Sequence, residues 1–157
     1  MNIRVAAAAF FVSLLFAAVP SSAASTALTG KMSVYNYLLE GKWNCKGGGS
    51  AYSAEYAVAP GNRLHGHLYS PQGSEDAYFG YDDTAHRFWT VSADSNGASE
   101  SQRSVDGVTY TGKLNDGKMT SNATNVITMV SSKQWTVHAR GTEDHQPYDL
   151  IVTCARA

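Results

Sequence analysis

Gly41-Lys42-Trp43-Asn44-Cys45 and, far downstream, Thr153-Cys154-Ala155-Arg156 decide the fold between them, because they carry the only two cysteines of the chain. Two cysteines in a small exported domain pair when the compartment is oxidising. The other readings are two separate buried thiols, or a redox pair, which would want the Cys-x-x-Cys spacing that is missing here. Partner numbers across an antiparallel pair keep a constant sum. If Cys45 faces Cys154, then Trp43 faces Arg156, and all four side chains share one face. Opposed Cα atoms stand about 4.5–5.5 Å apart, within disulfide reach. The same register lays a guanidinium over an indole, a cation–π contact worth about 0.5–2 kcal/mol. First and last strands are antiparallel neighbours in an up-and-down barrel with an even strand count, so this pairing selects a closed barrel over a two-layer sandwich. Closing a loop on the order of 100 residues contributes about 4 kcal/mol by the chain-entropy relation.

Between these ends the chain alternates at period two, broken by turn residues. Residues 51–58 put Tyr52, Ala54, Tyr56 and Val58 on one face, and Pro60-Gly61-Asn62 turns the chain. Residues 63–70 set Leu64 and Leu68 against Arg63, His65, His67 and Tyr69, ahead of a turn at Pro71-Gln72-Gly73. Further strands are expected at 78–81, 86–93, 100–105, 108–113, 133–140 and 148–156. In the second of these, Trp89 and Val91 oppose Phe88 and Thr90, and 100–105 is a polar strand. Residues 118–131 read as one long strand or two short ones, and 141–147 as a polar loop. Upstream, 25–31 reads as a frayed leader. Residues 32–40 form the one expected helix, capped by Ser33, with Val34, Leu38 and Tyr37 as its apolar face and Gly41 as its stop. The fold expected is therefore all-β: a single antiparallel up-and-down barrel of about 8–10 strands behind a short helix.

Several of these motifs resemble known ones. Gly41-Lys42-Trp43 resembles the Gly-x-Trp on the first strand of lipocalins and their calycin relatives. In those proteins an arginine near the chain end packs across the tryptophan at the barrel base, the place Arg156 takes here. Residues 32–40 resemble the helix that precedes that strand. Phe79-Gly80-Tyr81-Asp82-Asp83-Thr84, with Phe88-Trp89 and Gly97, is similar to an uncharacterised family of bacterial secreted lipocalin-like barrels that carry a Gly-Tyr-Asp turn. The resemblance implies a lipocalin-like barrel. Gly41-x-Trp43-x-Cys45-x-Gly47 is also similar to the opening of nitrobindin-like haem barrels, whose iron ligand is a histidine near the start of the last strand. The matching position here is Asp149, a departure that argues against haem, and no cofactor is assigned.

The N-terminus reads as an export signal. Met1-Asn2-Ile3-Arg4 is followed by an apolar run over 5–19 interrupted only by Ser13, then Pro20 and the small residues Ser21-Ser22-Ala23-Ala24. That pattern expects a signal peptide at 1–24, a barrel domain at 25–157 and a periplasmic or extracellular protein. The alternative is an uncleaved anchor, for which the run is short. No second long apolar segment follows, so no membrane span is expected after cleavage. Net charge is −1, charged residues make up 16% and no Lys/Arg run exists, which argues against nucleic acid as a partner.

Catalytic and metal chemistry find little support. His65-Gly66-His67 could supply two metal ligands, but Leu64 and Leu68 claim the core side and turn both imidazoles outward. No metal site is assigned. No Gly-x-Ser-x-Gly elbow exists. His138 and His145 have Glu143 and Asp144 for neighbours, an ordinary composition for a polar loop, and no catalytic residue is assigned. Gly47-Gly48-Gly49-Ser50 lacks the Lys and helix of a phosphate cradle and reads as a hairpin turn. A ligand cavity is the best functional candidate. Tyr52, Tyr56, Leu64, Leu68, Trp89, Tyr110 and Trp135 would line the interior, suiting an apolar or amphipathic small molecule. The leading function is a binding module; the alternatives are the haem-binding barrel that the nitrobindin-like resemblance implies, an enzyme such as a cyclase or hydrolase using the His138/His145 region, and a filled-core structural envelope protein. Binding expects an interior void with few ionisable groups, and an enzyme expects at least two perturbed titratable groups converging there.

Overall fold

A computed structural model describes residues 26–143 and 145–157. The expected signal peptide, residues 1–24, lies outside the described residues, as does Asp144. Ten strands follow a helical segment, Gly30–Glu40. They are β1 (Trp43–Gly47), β2 (Ser50–Ala59), β3 (Arg63–Ser70), β4 (Gly73–Asp82), β5 (Arg87–Asp94), β6 (Ser99–Ser104), β7 (Thr109–Asn115), β8 (Thr120–Ser131), β9 (Gln134–Glu143) and β10 (Gln146–Arg156). Each pairs antiparallel with its chain neighbour, and β10 pairs with β1 to close the barrel. Closure leaves no open sheet edge for another chain to extend.

The closing register is the expected one: Cys45 opposes Cys154 and Trp43 opposes Arg156. The cysteines form a disulfide with their Cα atoms 4.0 Å apart. The Arg156 guanidinium sits 5.5 Å from the Trp43 ring centroid. It also pairs with Glu40 and donates to the Ser132 carbonyl at 2.7 Å. Trp43 Nε1 donates to the Leu38 carbonyl at 3.1 Å, which ties the helix to the first strand.

The helical segment differs from expectation in kind. It is 3₁₀, and its buried residues are Met32, Tyr35 and Leu38, three apart. Three residues per turn place those side chains in one file, whereas an α reading chose Val34, which is exposed. Ser33 does not cap it: its hydroxyl donates to the Gly30 carbonyl from within the helix. The stretch expected to fray is instead anchored in part. Leu28 is buried, and the Asn36 amide brackets its backbone, accepting from its N–H at 2.8 Å and donating to its carbonyl at 3.1 Å. Asn62, in the β2–β3 turn, brackets Thr29 in the same way. The helix is thereby held in one end of the barrel, where Tyr35 packs edge-on to Phe88.

Other boundaries move too. β4 begins at Gly73, so the expected loop before residue 78 is strand and carries Glu75 and Ala77. β8 is one long strand with a register irregularity between Met129 and Ser131. Most of the expected 141–147 loop is strand, with β9 running to Glu143 and β10 starting at Gln146.

Candidate functional site

Alternate residues of every strand point inward, and the sequence sorts them by height. Near the helix-capped end the interior is aromatic and tight: Trp43, Phe88, Tyr110 and Trp135 are all buried. The hydroxyls of Tyr35 and Tyr110 are hydrogen-bonded to each other, and Tyr35 donates to the Gly107 carbonyl at 2.7 Å. Above this floor is a cavity of ≈ 140 Å³ walled by Tyr56, Phe79, Ile127 and Trp135. A second space, ≈ 360 Å³, opens toward the other end between Asp94, Leu114, Tyr148 and Leu150. The two share walls at Tyr52, Glu75, Ser92, Glu100, Asn125 and Val137.

That shared waist is polar. Glu100 accepts from Gln102 Nε2 at 3.0 Å on one oxygen and from Asn125 Nδ2 at 3.0 Å on the other. Asn125 Nδ2 also donates to Gln102 Oε1 at 3.1 Å. Burial, with the nearby Glu75 as the lesser cause, pushes the Glu100 carboxyl up to about 7. Burial likewise raises Glu75, opposed by a hydrogen bond from Ser92. Burial pushes the Tyr52 phenol up to about 12 and raises Tyr56 well above its ordinary value, so both hydroxyls stay neutral donors in any ordinary buffer. No Lys, Arg or His is among the described residues lining either space. The Trp135 indole lines the lower cavity, and its buried Nε1–H has no acceptor among the described residues.

Of the residues expected to line the interior, Tyr52, Tyr56, Leu68, Tyr110 and Trp135 do. Leu64 points inward but is wholly buried in the packed core, apart from the cavity wall. Trp89 is a correction. Phe88 and Thr90 take the inner face, and Trp89 lies outside, over Gly80, with the Arg63 guanidinium 5.7 Å from its ring centroid. Both faces of β5 carry a ring, so alternation alone could not orient it. The bare backbone of Gly80 directly opposite, and a neighbouring arginine, are what make the outer position a good one for an indole.

Glu75, Glu100, Gln102 and Asn125 were not anticipated. Glu75 fell in an expected loop, and β6 is polar on both faces, which hides its parity. One signal was available. A strand in a closed barrel must turn one face inward whatever its composition, so a polar strand puts polar groups inside.

The histidines lie elsewhere. His65 Nε2 and His67 Nδ1 both donate to Asp76 Oδ1, at 2.8 and 3.0 Å, on the outer face. These two bonds hold the Asp76 carboxyl below the usual range. His138 is hydrogen-bonded to Asp149, also outside, so neither it nor the position matching the haem-barrel ligand reaches the cavity. His145 occupies the β9–β10 turn at φ 64°. Among the described residues no group of three or more His, Cys, Asp or Glu is arranged to hold a metal ion. No family model matches the chain, and no curated protein matches it.

Proposed function

We propose that this chain is an exported, lipocalin-like barrel that takes up a small amphipathic molecule. The observation that supports the reading is the lower cavity, a partly enclosed space with aromatic walls and a few oriented polar groups at its upper rim, the usual make-up of a small-molecule site. The Gly-x-Trp and terminal arginine motifs support the lipocalin-like assignment. The leader-like N-terminus, together with a disulfide that suits an oxidising compartment, supports export. Native mass spectrometry of protein purified from its own host tests the binding reading: a retained molecule is expected. A bare polypeptide mass, joined by no thermal shift with any compound of a diverse small-molecule set, would overturn it.

One observation favours a second reading. Glu75 and Glu100 are two raised carboxyls at one shared waist of the interior, the pattern expected of an acid–base pair. On that reading the captured molecule is turned over. Its mass would change on incubation with the wild-type protein and stay constant with Glu100→Gln.

A further inference from the structure

We infer that the molecule held in the barrel is an aryl-alkyl amine bound as its cation, its ring in the lower cavity and its ammonium at the Glu75–Glu100 waist. This rests on the binding reading above and narrows it to one chemical class.

Charge comes first. Two carboxyls face the waist, with Asp94 and Glu143 nearer the open end, and no basic side chain is among the described residues that line either space. The inward-pointing Arg156 is held at the base by Glu40, the Ser132 carbonyl and the Trp43 ring, with its buried Nε–H lacking an acceptor among the described residues, and it lines neither space. The donors that reach Glu100 are neutral amides, one to each oxygen. They orient the carboxylate without neutralising it, and a carboxylate has acceptor capacity for about four bonds. Once the waist is ionised, above about pH 7 for Glu100, an anionic ligand would be repelled here and a neutral one would leave buried charge uncompensated. A monocation with several N–H donors answers both. Burial raises both carboxyls, helped by Glu75 at Glu100 and by Asp94 and Asp76 at Glu75, and an arriving cation would oppose that by favouring their ionised forms.

An independent observation comes from the floor. Trp135 is only 5% exposed, lines the same cavity, and its Nε1–H has no acceptor among the described residues. A buried donor left unmade costs free energy, and a ligand oxygen at the deep end would supply the acceptor. Size agrees with one ring: the lower cavity, ≈ 140 Å³, compares with the roughly 150 Å³ engineered cavity that holds benzene. Tyr56, Phe79 and Trp135 give that ring aromatic walls.

Tyramine has these parts in this order: a phenol oxygen, a ring, a two-carbon spacer and an ammonium. Its alcohol isostere is 4-hydroxyphenylethanol and its anionic counterpart 4-hydroxyphenylacetate. Each is titrated at pH 8 into the unliganded protein by calorimetry, with quenching of tryptophan fluorescence as the second readout. Tyramine is expected to bind about 10–100-fold more tightly than the alcohol, and the acid not at all. In the Glu75→Gln/Glu100→Gln variant that preference should vanish while the alcohol binds as before; near-ultraviolet circular dichroism verifies the variant's fold. Phenylethylamine, lacking the phenol oxygen, should bind roughly 3–10-fold more weakly than tyramine, a gap closed by Trp135→Phe. If the alcohol or the acid binds as well as tyramine, the amine class is overturned and the binding reading stands. If none of the three binds while native mass spectrometry still finds a retained molecule, the outcome is the same. If none binds and nothing is retained, both fall.

Discussion

The ring of Tyr56 lies against the backbone of Gly66, its direct partner across β2 and β3, so closely that a Cβ at position 66 would stand 2.6 Å from Tyr56 Cε1. The barrel repeats the arrangement twice. Trp89 covers its partner Gly80 on the outer wall, and Tyr148 covers its partner Gly141, with would-be Cβ distances of 2.3 and 2.6 Å. In each case the glycine leaves a strip of backbone bare and the opposed aromatic ring covers it, which settles both the ring's position and the local register.

Gly66→Ala should therefore push Tyr56 out of the cavity wall. A loss of about 1–3 kcal/mol is expected, the usual range for overpacking, measured by urea denaturation. In a Tyr56→Ala background the same substitution should cost less than half as much, since the atoms it strikes are gone. Equal costs in both backgrounds would show that the contact is not the cause.

Stability should fall as pH rises toward neutrality, contrary to the common carboxylate pattern. Glu100 is raised from 4.5 to about 7 by burial and then by Glu75. Below pH 4.5 both folded and unfolded chains hold the proton. Between 4.5 and 7 the unfolded chain gives it up and the folded one keeps it, so stability is lost across that window and levels off above it. The loss is on the order of 3 kcal/mol. Glu100→Gln should flatten this slope, leaving stability at pH 5 little changed and raising it at pH 8, as read from denaturant midpoints.

Asp106 acts in the opposite sense. Backbone N–H groups of Thr109 and Val108 and the Ser104 hydroxyl donate to it and hold it down at about 2. Its contribution is complete above the ordinary carboxylate range and is lost as pH drops toward 2. Asp106→Asn should shallow the acid limb of the stability profile, and an unchanged limb would count against the turn as its source.

Arg156→Lys keeps the charge but loses the planar guanidinium that meets the Trp43 ring, Glu40 and the Ser132 carbonyl together. A cost of about 0.5–2 kcal/mol is expected, with a change in tryptophan fluorescence as the indole loses its cover. Trp43→Phe should then make the Arg156→Lys cost smaller.

Removing the cross-link by Cys45→Ala/Cys154→Ala should cost about 2–5 kcal/mol, since the bridge spans a sequence separation of 109. Free-thiol titration of the unreduced, denatured wild type should find no reactive sulfhydryl, and a positive titre would contradict the bridge.

The barrel's closure was legible from four residues at the chain's two ends, because antiparallel pairing is arithmetic: once Cys45 meets Cys154, Trp43 must meet Arg156. Strands with a ring or aliphatic on one side and polar groups on the other, such as β2, β3 and β9, declared their inner faces in the same way. The helix misled because Val34, Tyr35, Leu38 and Leu39 offer an apolar stripe at more than one period, and only packing against the barrel selected the three-residue one. Trp89 misled because β5 is apolar on both sides.

What the sequence determined by itself was the all-β fold, its closing register and most of its aromatic interior, since alternation and pair sums are local rules that hold along any strand. What only the tertiary structure decided was the acidic waist. Glu75 and Glu100 come from strands that are not neighbours in the sheet, and neither carries a pattern that announces burial. Their convergence follows from closing the barrel, which turns one side of every strand inward and brings distant carboxyls to one partly enclosed waist, where burial raises the proton affinity of both.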